Sequence, residues 1–374
     1  MYFWRSVTSS ALFPSTSYGG TYQSASRAFI NRQKGKHMTM RRKTLHLVSL
    51  TVLALVALIV VAGALGAGQK SGDLSGKKVG VIICTNQNPF CAAWANSVKS
   101  GLEKQGASVT VLTSVFDPAV DAQNMNRLIA DKPDLIISVP ASASAIIPSY
   151  IRAKQAGIPI LGAIGRQSPA GAKIVTAEAR TDDPSLGKFA AQNLVEGMQK
   201  AGFSKGNVIA LTGTASQNNV TDRMAAFKAY MKKYPQYKIV AIEDANWDQA
   251  TSAKDAQQLL SKYASKGGIQ GAYGMADNMA IGIIQGAKQA GVPVGVAKKG
   301  LIVSGGNCLA VGINAIKSGT EYGTGTQAPQ LEAALAVKVA AQILSGTTPP
   351  KVSYVHEDRI TKANVAKFTK VCTF

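Results

Sequence analysis

Acidic residues are absent from the first 72 positions of this 374-residue chain, which hold nine of its 41 Lys and Arg residues. The basic run Arg41-Arg42-Lys43 is followed, three residues later, by the stretch 47–68. This stretch has no charged residue and ends in small residues. This order is typical of an export signal, and an uncharged, mostly apolar run of 22 residues is also long enough for an uncleaved membrane anchor. We predict that residues 38–72 are a signal peptide or N-terminal anchor, and that residues 1–37 are a non-native N-terminal extension before the true start.

The rest of the chain lacks the patterns of a nucleic-acid-binding protein. It holds 32 Lys and Arg against 20 Asp and Glu, a net charge of +12. No Lys/Arg run is interleaved with aromatic residues, and the charges are spread over helix faces. We therefore expect a solvated basic surface and no nucleic-acid partner.

The groups that enzymes and metal sites need are also scarce. His356 is the only histidine after the leader, and there is no C-x-x-C pair, so the spacing of a zinc site is missing. There is no G-x-S-x-G elbow, phosphate loop or dinucleotide-binding glycine turn. We expect no enzyme activity, no cofactor and no metal.

Four cysteines permit two disulfides in an oxidising compartment. Cys84 and Cys91 flank a strand-to-helix loop and could close it, and Cys308 and Cys372 would then tie the tail to the second half of the chain. Four buried free thiols are the alternative.

From Lys77 onward, apolar runs of strand length alternate with amphipathic helices. The predicted strands are 79–84, 108–115, 134–139, 159–164, 207–213, 238–243, 269–275, 301–304 and 352–355. The predicted helices are 89–105, 118–130, 144–156, 184–201, 219–234, 249–263, 278–290 and 330–344. This alternation predicts an α/β fold with doubly wound, parallel, Rossmann-like sheets.

An internal repeat divides the pattern in two. The octapeptide AKQAGIPI at 153–160 returns as AKQAGVPV at 287–294, which indicates a duplicated α/β unit, with local convergence on a good helix end as the alternative. We predict two similar lobes joined by several hinge crossings, with a ligand cleft between them. The N-terminal lobe is predicted to hold 77–179 and 328–355, and the C-terminal lobe 180–327 and 356–374.

The loop after the first strand is rich in amide and aromatic side chains. Ligands of such sheets bind beyond the carboxyl ends of the strands, where Asn88 and Phe90 are placed. Each also has an ordinary structural role, Asn88 as a helix N-cap and Phe90 as core filler.

Further motifs follow in a fixed order along residues 77 to about 370. They are Asn88-Pro89-Phe90, Asp117-Pro118, the strand 135–140, Ala156-Gly157-Ile158-Pro159, Arg223, Asn246-Trp247-Asp248, the stretch 277–282, the stretch 315–319 and Gln327. Together they resemble the ribose/galactose-type sugar-binding proteins of bacterial ABC importers, the type 1 periplasmic binding proteins.

The resemblance implies a monomeric periplasmic protein that captures a sugar, polyol or sugar acid between its lobes and delivers it to ABC permease subunits in the inner membrane. A periplasmic sensor or chemoreceptor partner of the same fold is the rival function. A transcription regulator would need a DNA-binding segment where the export signal stands. The implied ligand-binding residues are Asn88, Phe90, Arg166, Arg223, Trp247, Asp277, Asn307 and Gln327.

Several positions depart from the resemblance. Gly165 and Asn307 stand where family members that bind neutral pentoses usually carry Asp, and Gly306, Ala276 and Val139 also differ. We predict that Asp182, Asp183 or Asp277 neutralises the two arginines and that the ligand is a neutral sugar or polyol, as the resemblance implies. The alternative is an anionic ligand such as a sugar acid, because a desolvated arginine without those carboxylates needs a counter-charge.

Overall fold

The computed structural model describes residues 72–374, so the predicted extension and nearly all of the predicted leader lie outside the described residues. Within 72–374, no helix combines the length and the apolar character that a membrane span requires. Everything below concerns this part of the chain.

Twelve strands form two sheets in the described part of the chain. In chain order they are β1 (Lys78–Ile83), β2 (Ser108–Thr113), β3 (Leu135–Ser138), β4 (Ile160–Ile164), β5 (Ala177–Arg180), β6 (Gly206–Thr212), β7 (Tyr237–Asp244), β8 (Gly271–Gly274), β9 (Ile302–Ser304), β10 (Gly323–Gly325), β11 (Val352–Tyr354) and β12 (Arg359–Thr361). The first sheet has the order β11-β5-β4-β3-β1-β2 and is parallel throughout. The second has the order β12-β10-β9-β8-β6-β7, with β12 antiparallel to β10. We call the body around each sheet the first lobe and the second lobe.

Helices cover the faces of both sheets. They are α1 (Pro89–Glu103), α2 (Pro118–Asp131), α3 (Ile147–Gln155), α4 (Pro169–Ala172), α5 (Asp183–Lys200), α6 (Asn218–Met231), α7 (Gln249–Tyr263), α8 (Asp277–Gln289), α9 (Ala310–Ser318) and α10 (Pro329–Leu344). Helix α10 packs against α1 in the first lobe, whereas α5 packs against α6 and α7 against α8 in the second. The expected α/β fold with two doubly wound lobes is confirmed.

The two sheets share one strand order, in which each strand from β1 to β5 corresponds to the strand five places later. The repeated octapeptide occupies the same place in both lobes, at the turn that follows α3 and α8. Gly157 and Gly291 both have positive φ there, at 75° and 68°. The next backbone N–H reaches back to the helix in each copy, from Ile158 at 3.0 Å and from Val292 at 2.8 Å. The repeat therefore marks an equivalent helix end in two lobes of the same order.

The chain passes between the lobes three times: from β5 to α5, from β10 to α10, and from β11 to β12. Three crossings place the carboxyl ends of both sheets opposite each other. Each lobe keeps its own apolar core on its side of the crossings. This geometry creates the cleft in which the site lies.

Three strands and two helices were not predicted from the sequence, namely β5, β10, β12, α4 and α9. The strands read Ala-Glu-Ala-Arg, Gly-Thr-Gly and Arg-Ile-Thr, so they lack the apolar runs on which the prediction depended. They form because neighbouring strands supply hydrogen-bond partners, which is a property of the fold and not of the segment.

Both cysteine pairs are disulfide-bonded, Cys84 with Cys91 and Cys308 with Cys372. The first closes the loop between β1 and α1, and the second joins the segment before α9 to the tail. The pairing that the sequence analysis left open against four free thiols is thus confirmed.

Gly187 provides a test of how tightly the second lobe is packed. A Cβ at this position of α5 would lie 2.0 Å from the backbone oxygen of Arg223 in α6, which cannot move aside as a side chain could. We expect Gly187→Ala to lower the free energy of unfolding by about 1–3 kcal/mol because the two helices must separate. Urea unfolding measures this, with the exposed neighbour Lys188→Ala as control, and an unchanged stability would contradict the tight contact.

Candidate functional site

A cavity of about 50 Å³ lies between the lobes, at the carboxyl ends of the strands. Six of the eight predicted ligand-binding residues line it: Asn88, Phe90, Arg223, Trp247, Asn307 and Gln327. Arg166 and Asp277 do not. The further lining residues, which the sequence analysis did not propose as ligand contacts, are Cys84, Cys91, Phe116, Val139, Ile164, Gln217 and Asn219.

The first lobe contributes the turn at the start of α1. Asn88 is the N-cap, and its Oδ1 accepts a hydrogen bond from the backbone N–H of Cys91 at 3.2 Å. Phe90 is 8% exposed and packs in the core of this lobe. The structural roles considered for both residues are therefore present, and both side chains also line the cavity. The Cys84–Cys91 disulfide forms part of the same wall and fixes the turn.

The second lobe contributes Trp247, which follows β7 with a positive φ of 59°. Its indole Nε1–H donates to Oε1 of Gln217 at 2.7 Å. Gly213 makes room for the ring, since a Cβ there would lie 1.8 Å from the indole Cε2. The ring is thus held by a hydrogen bond and by close packing before any ligand contact is made.

Arg223 lies at the base of the cavity and is 1% exposed. Its Nε donates to Asp183 Oδ1 at 2.8 Å, its Nη1 to the backbone oxygen of Met275 at 3.2 Å, and its Nη2 to Gln327 Oε1 at 2.8 Å. Burial raises the pKa of Asp183 to about 6, and the attraction of Arg223 opposes a larger rise. The carboxyl is therefore ionised at neutral pH and supplies the counter-charge of the guanidinium.

Asp277 lies beneath the cavity wall instead of in it. It is fully buried, and its carboxylate accepts from the backbone N–H of Leu309 at 2.7 Å and from the Thr324 hydroxyl at 2.6 Å. Its own backbone N–H donates to Oδ1 of Asn307 at 3.1 Å, so it positions a residue that does line the cavity. The prediction that Asp277 contacts ligand does not fit this location, because the loop before α9 covers the carboxylate.

Arg166 joins the two lobes at the edge of the cleft. Its Nε and Nη2 donate to the two carboxylate oxygens of Asp222 in α6, each at 2.9 Å. Its backbone oxygen accepts from Asn218 Nδ2 at 2.8 Å, and nearby the Ser216 hydroxyl donates to the backbone oxygen of Ala141 at 2.9 Å. Arg166 thus bridges the lobes and does not face the cavity. Both arginines now have carboxylate partners, so the premise of an unpaired arginine behind the anionic-ligand hypothesis is wrong.

Two more carboxyl groups are buried where the second and third crossings meet. Glu332 accepts from the Thr181 hydroxyl, and Glu357 accepts from the Thr326 hydroxyl at 2.7 Å. The second oxygen of each carboxyl has no partner among the described residues. Burial raises the pKa of Glu357 to about 7, and burial together with the charge of Glu357 raises the pKa of Glu332 well above its usual range. The pair therefore holds at least one proton near neutral pH.

Gln217 and Asn219 are the polar lining residues that the sequence analysis missed. They lie in the Thr- and Asn-rich segment that follows β6, another strand whose carboxyl end faces the cleft. Ligands of such sheets bind beyond the carboxyl ends of the strands, and this rule was applied only to the first strand. Applied to β6, it would have found both residues. Phe116 follows β2 in the same way.

Comparison with known proteins assigns the chain to a family. The model of the periplasmic binding protein domain matches residues 79–348. This chain belongs to the periplasmic binding protein family. The members of this family are solute-binding proteins.

Relatives of this periplasmic binding protein include a xylitol-binding protein and a ribose import binding protein. The first, from Mycolicibacterium smegmatis, is 24% identical over 324 residues, which cover 84% of this chain and 88% of the relative. The second, from Haemophilus influenzae, is 27% identical over 282 residues, which cover 75% of this chain and 90% of the relative.

Solved structures show the same two-lobed architecture. A periplasmic solute-binding protein from Actinobacillus succinogenes with bound D-allose has a TM-score of 0.68 at 25% identity, over 78% of this chain and 99% of that chain. A galactofuranose-binding protein has a TM-score of 0.72 at 19% identity, over 79% and 97% of the two chains, which shows the fold alone.

The Arg166–Asp222 pair joins the two lobes, and Asp222→Asn tests whether it stabilises their closed arrangement. Since the two side chains are 38% and 22% exposed, we expect a modest shift of about two- to fivefold toward open conformations. Small-angle X-ray scattering should show a larger radius of gyration at low salt, with a smaller difference at high salt. Asp131→Asn, an exposed acid of the first lobe, is the control, and equal radii for wild type and variant would contradict the role of the pair.

The buried hinge carboxyls predict how stability depends on pH. Between about pH 4.5, the usual value, and about pH 7, the folded protein keeps a proton on Glu357 that the unfolded chain releases. The free energy of unfolding should therefore fall as pH rises through this window, and it should fall further above pH 7 because the pKa of Glu332 is raised as well.

Glu332→Gln removes one member of the pair, and we expect a smaller loss of stability over this pH range than in wild type. Denaturant unfolding at several pH values measures it, with the exposed Glu103→Gln as the control that keeps the wild-type slope. If the stability of Glu332→Gln depends on pH as steeply as that of the wild type, the Glu332–Glu357 pair is not the source of the pH dependence.

Proposed function

We propose that this protein is an extracytoplasmic solute-binding protein that encloses a neutral sugar or polyol between its lobes and delivers it to an ABC-type importer. The observation that carries the proposal is the cavity itself, which is lined from both lobes by aromatic and amide side chains. Phe90 and Phe116 come from the first lobe, and Trp247 from the second.

This lining suits a carbohydrate. The C–H faces of sugars and polyols are apolar and pack on aromatic rings, while their oxygens need hydrogen-bonding groups. Asn88 supplies an amide from the first lobe, and Gln217, Asn219 and Asn307 supply amides from the second. A ligand completes its contacts only when the lobes meet, so binding and closure are coupled.

The charges around the cavity favour a neutral ligand over a sugar acid. Arg223 is paired with Asp183, and Arg166 with Asp222, so neither arginine requires a negative group from the ligand. No Asp or Glu is among the residues that line the cavity in the described part of the chain.

Import places the protein outside the cytoplasm, beside a permease in the inner membrane. The basic, apolar N-terminal segment and two disulfides support an exported protein in an oxidising compartment. The lobes, predicted as 77–179 with 328–355 and 180–327 with 356–374, would then move about the three crossings as the cleft opens and closes.

Thermal unfolding against a panel of pentoses, hexoses, polyols and sugar acids tests the proposal. A ligand at about 100 times its dissociation constant adds roughly 2.7 kcal/mol of stability, which raises the midpoint by several degrees. We expect this rise with a neutral compound. A rise with sugar acids alone would overturn the neutral class, and no rise with any compound would overturn the carbohydrate function.

Asn219→Ala locates the binding event. Asn219 lines the cavity and makes no side-chain hydrogen bond among the described residues, so its removal should leave the unliganded midpoint unchanged and weaken binding by about tenfold. Lys228→Ala, on the exposed face of the same helix, should bind as wild type does. Full affinity in Asn219→Ala would place the ligand elsewhere.

A further inference from the structure

The amide groups around the cavity are held in one orientation. The carbonyl oxygens of Asn88, Gln217 and Asn307 each accept from a group that can only donate, namely two backbone N–H groups and the indole N–H of Trp247. Turning any of these amides over would set an NH₂ group against an N–H, so the orientation is fixed. Three NH₂ groups therefore remain as donors, on residues that line the cavity.

Acceptors are few by comparison. Gln327 is occupied at both ends, since its Oε1 accepts from Arg223 and its Nε2 donates to Thr181 at 3.3 Å. Asn219 is the one lining amide whose oxygen has no side-chain donor within residues 72–374. Because these lining residues include no carboxylate, the side chains offer at least three free NH₂ donors, and Asn219 has the one amide oxygen that no side-chain donor within residues 72–374 already uses.

A donor-rich site also suits an anion, but the one cationic side chain among the described lining residues is already paired. The guanidinium of Arg223 already has Asp183 as its partner. Asp277 and Glu321, two buried carboxyl groups, lie behind Asn307, and a Cβ on Gly305 would be 2.3 and 2.5 Å from their oxygens. Burial raises the pKa of Asp277 to about 8 and the pKa of Glu321 well above its usual range, so both acids are neutral near pH 7. An anion would thus meet a cation that is already paired and no free positive charge among the described lining residues.

The cavity is also small. The centres of water-sized molecules can occupy about 50 Å³ of it. When closure of the lobes buries a ligand hydroxyl that finds no acceptor, that hydroxyl cannot turn to solvent instead. Leaving a buried O–H donor unsatisfied weakens binding by about tenfold or more.

We propose that the cleft selects a small neutral ligand that presents oxygen acceptors and few hydroxyl donors, as a sugar lactone or a deoxy sugar does. This inference rests on the proposed function, in which the cavity binds a carbohydrate. A polyol brings an O–H donor with every oxygen, whereas a carbonyl or ring oxygen accepts from an amide NH₂ and brings none. The ligand class follows from the fixed direction of the amides.

Matched pairs of ligands test the inference by calorimetric titration of the full protein. In the first pair, erythronolactone has a cyclic ester in place of two hydroxyls of erythritol. In the second pair, deoxyribose lacks one hydroxyl of ribose. We expect the first member of each pair to bind at least about tenfold more tightly. Equal or tighter binding of ribose and erythritol would overturn the inference and leave the proposed function standing. Failure of every sugar, polyol and lactone to bind would overturn both.

Asn88→Asp separates donor direction from cavity shape. Asp is as good an N-cap as Asn, so the bond from the Cys91 N–H and the fold are kept, while the NH₂ donor becomes an acceptor. We expect the preference for the lactone over the polyol to fall by about tenfold. An unchanged preference, with unliganded stability preserved, would overturn the inference.

Discussion

The buried guanidinium of Arg223 is the group on which the arrangement of the hinge and the cleft depends. It donates to Asp183 at the first crossing and to Gln327 at the second, and it also binds the backbone oxygen of Met275 at the carboxyl end of the second sheet. A buried charge tolerates few geometries, since each lost bond leaves an uncompensated group. Arg223 therefore fixes two crossings relative to the second sheet, and its guanidinium lies 5.6 Å from the ring of Trp247 in the cavity wall.

Two sets of charged or titratable residues lie around Arg223, one reached by solvent and the other buried. Arg166 and Asp222 join the lobes where solvent can still reach them, so their bond can break when the cleft opens. Glu332 and Glu357 are buried at the crossings, where their raised pKa values make the hinge carry protons near neutral pH. Amide groups line the cavity between these two sets, and protein donors fix the carbonyl oxygens of all of them except Asn219. The ligand therefore meets a surface whose donors are in place before it arrives.

Much of the fold and part of the site could be predicted from the sequence. Strands such as β1 and β3 are continuous apolar runs, and the repeated octapeptide showed that two lobes share one plan. Asn88 and Phe90 were expected at the cavity because a strand end and a helix start leave little freedom to the residues between them. Gln217 and Asn219 also follow the carboxyl end of a strand, but only the loop after the first strand was examined in the sequence.

The sequence by itself determined most of the strands and helices, because apolar periodicity and helix caps are local properties, whereas β5, β10 and β12 depend on neighbouring strands. It also supplied the cysteine positions and the order of motifs that the family shares. Only the tertiary structure decided that Arg166 bridges the lobes, that Asp277 lies beneath the wall, and that Asp183 neutralises Arg223. These outcomes depend on distances between residues far apart in the chain, and side-chain charge and hydrogen bonding take effect only at those distances.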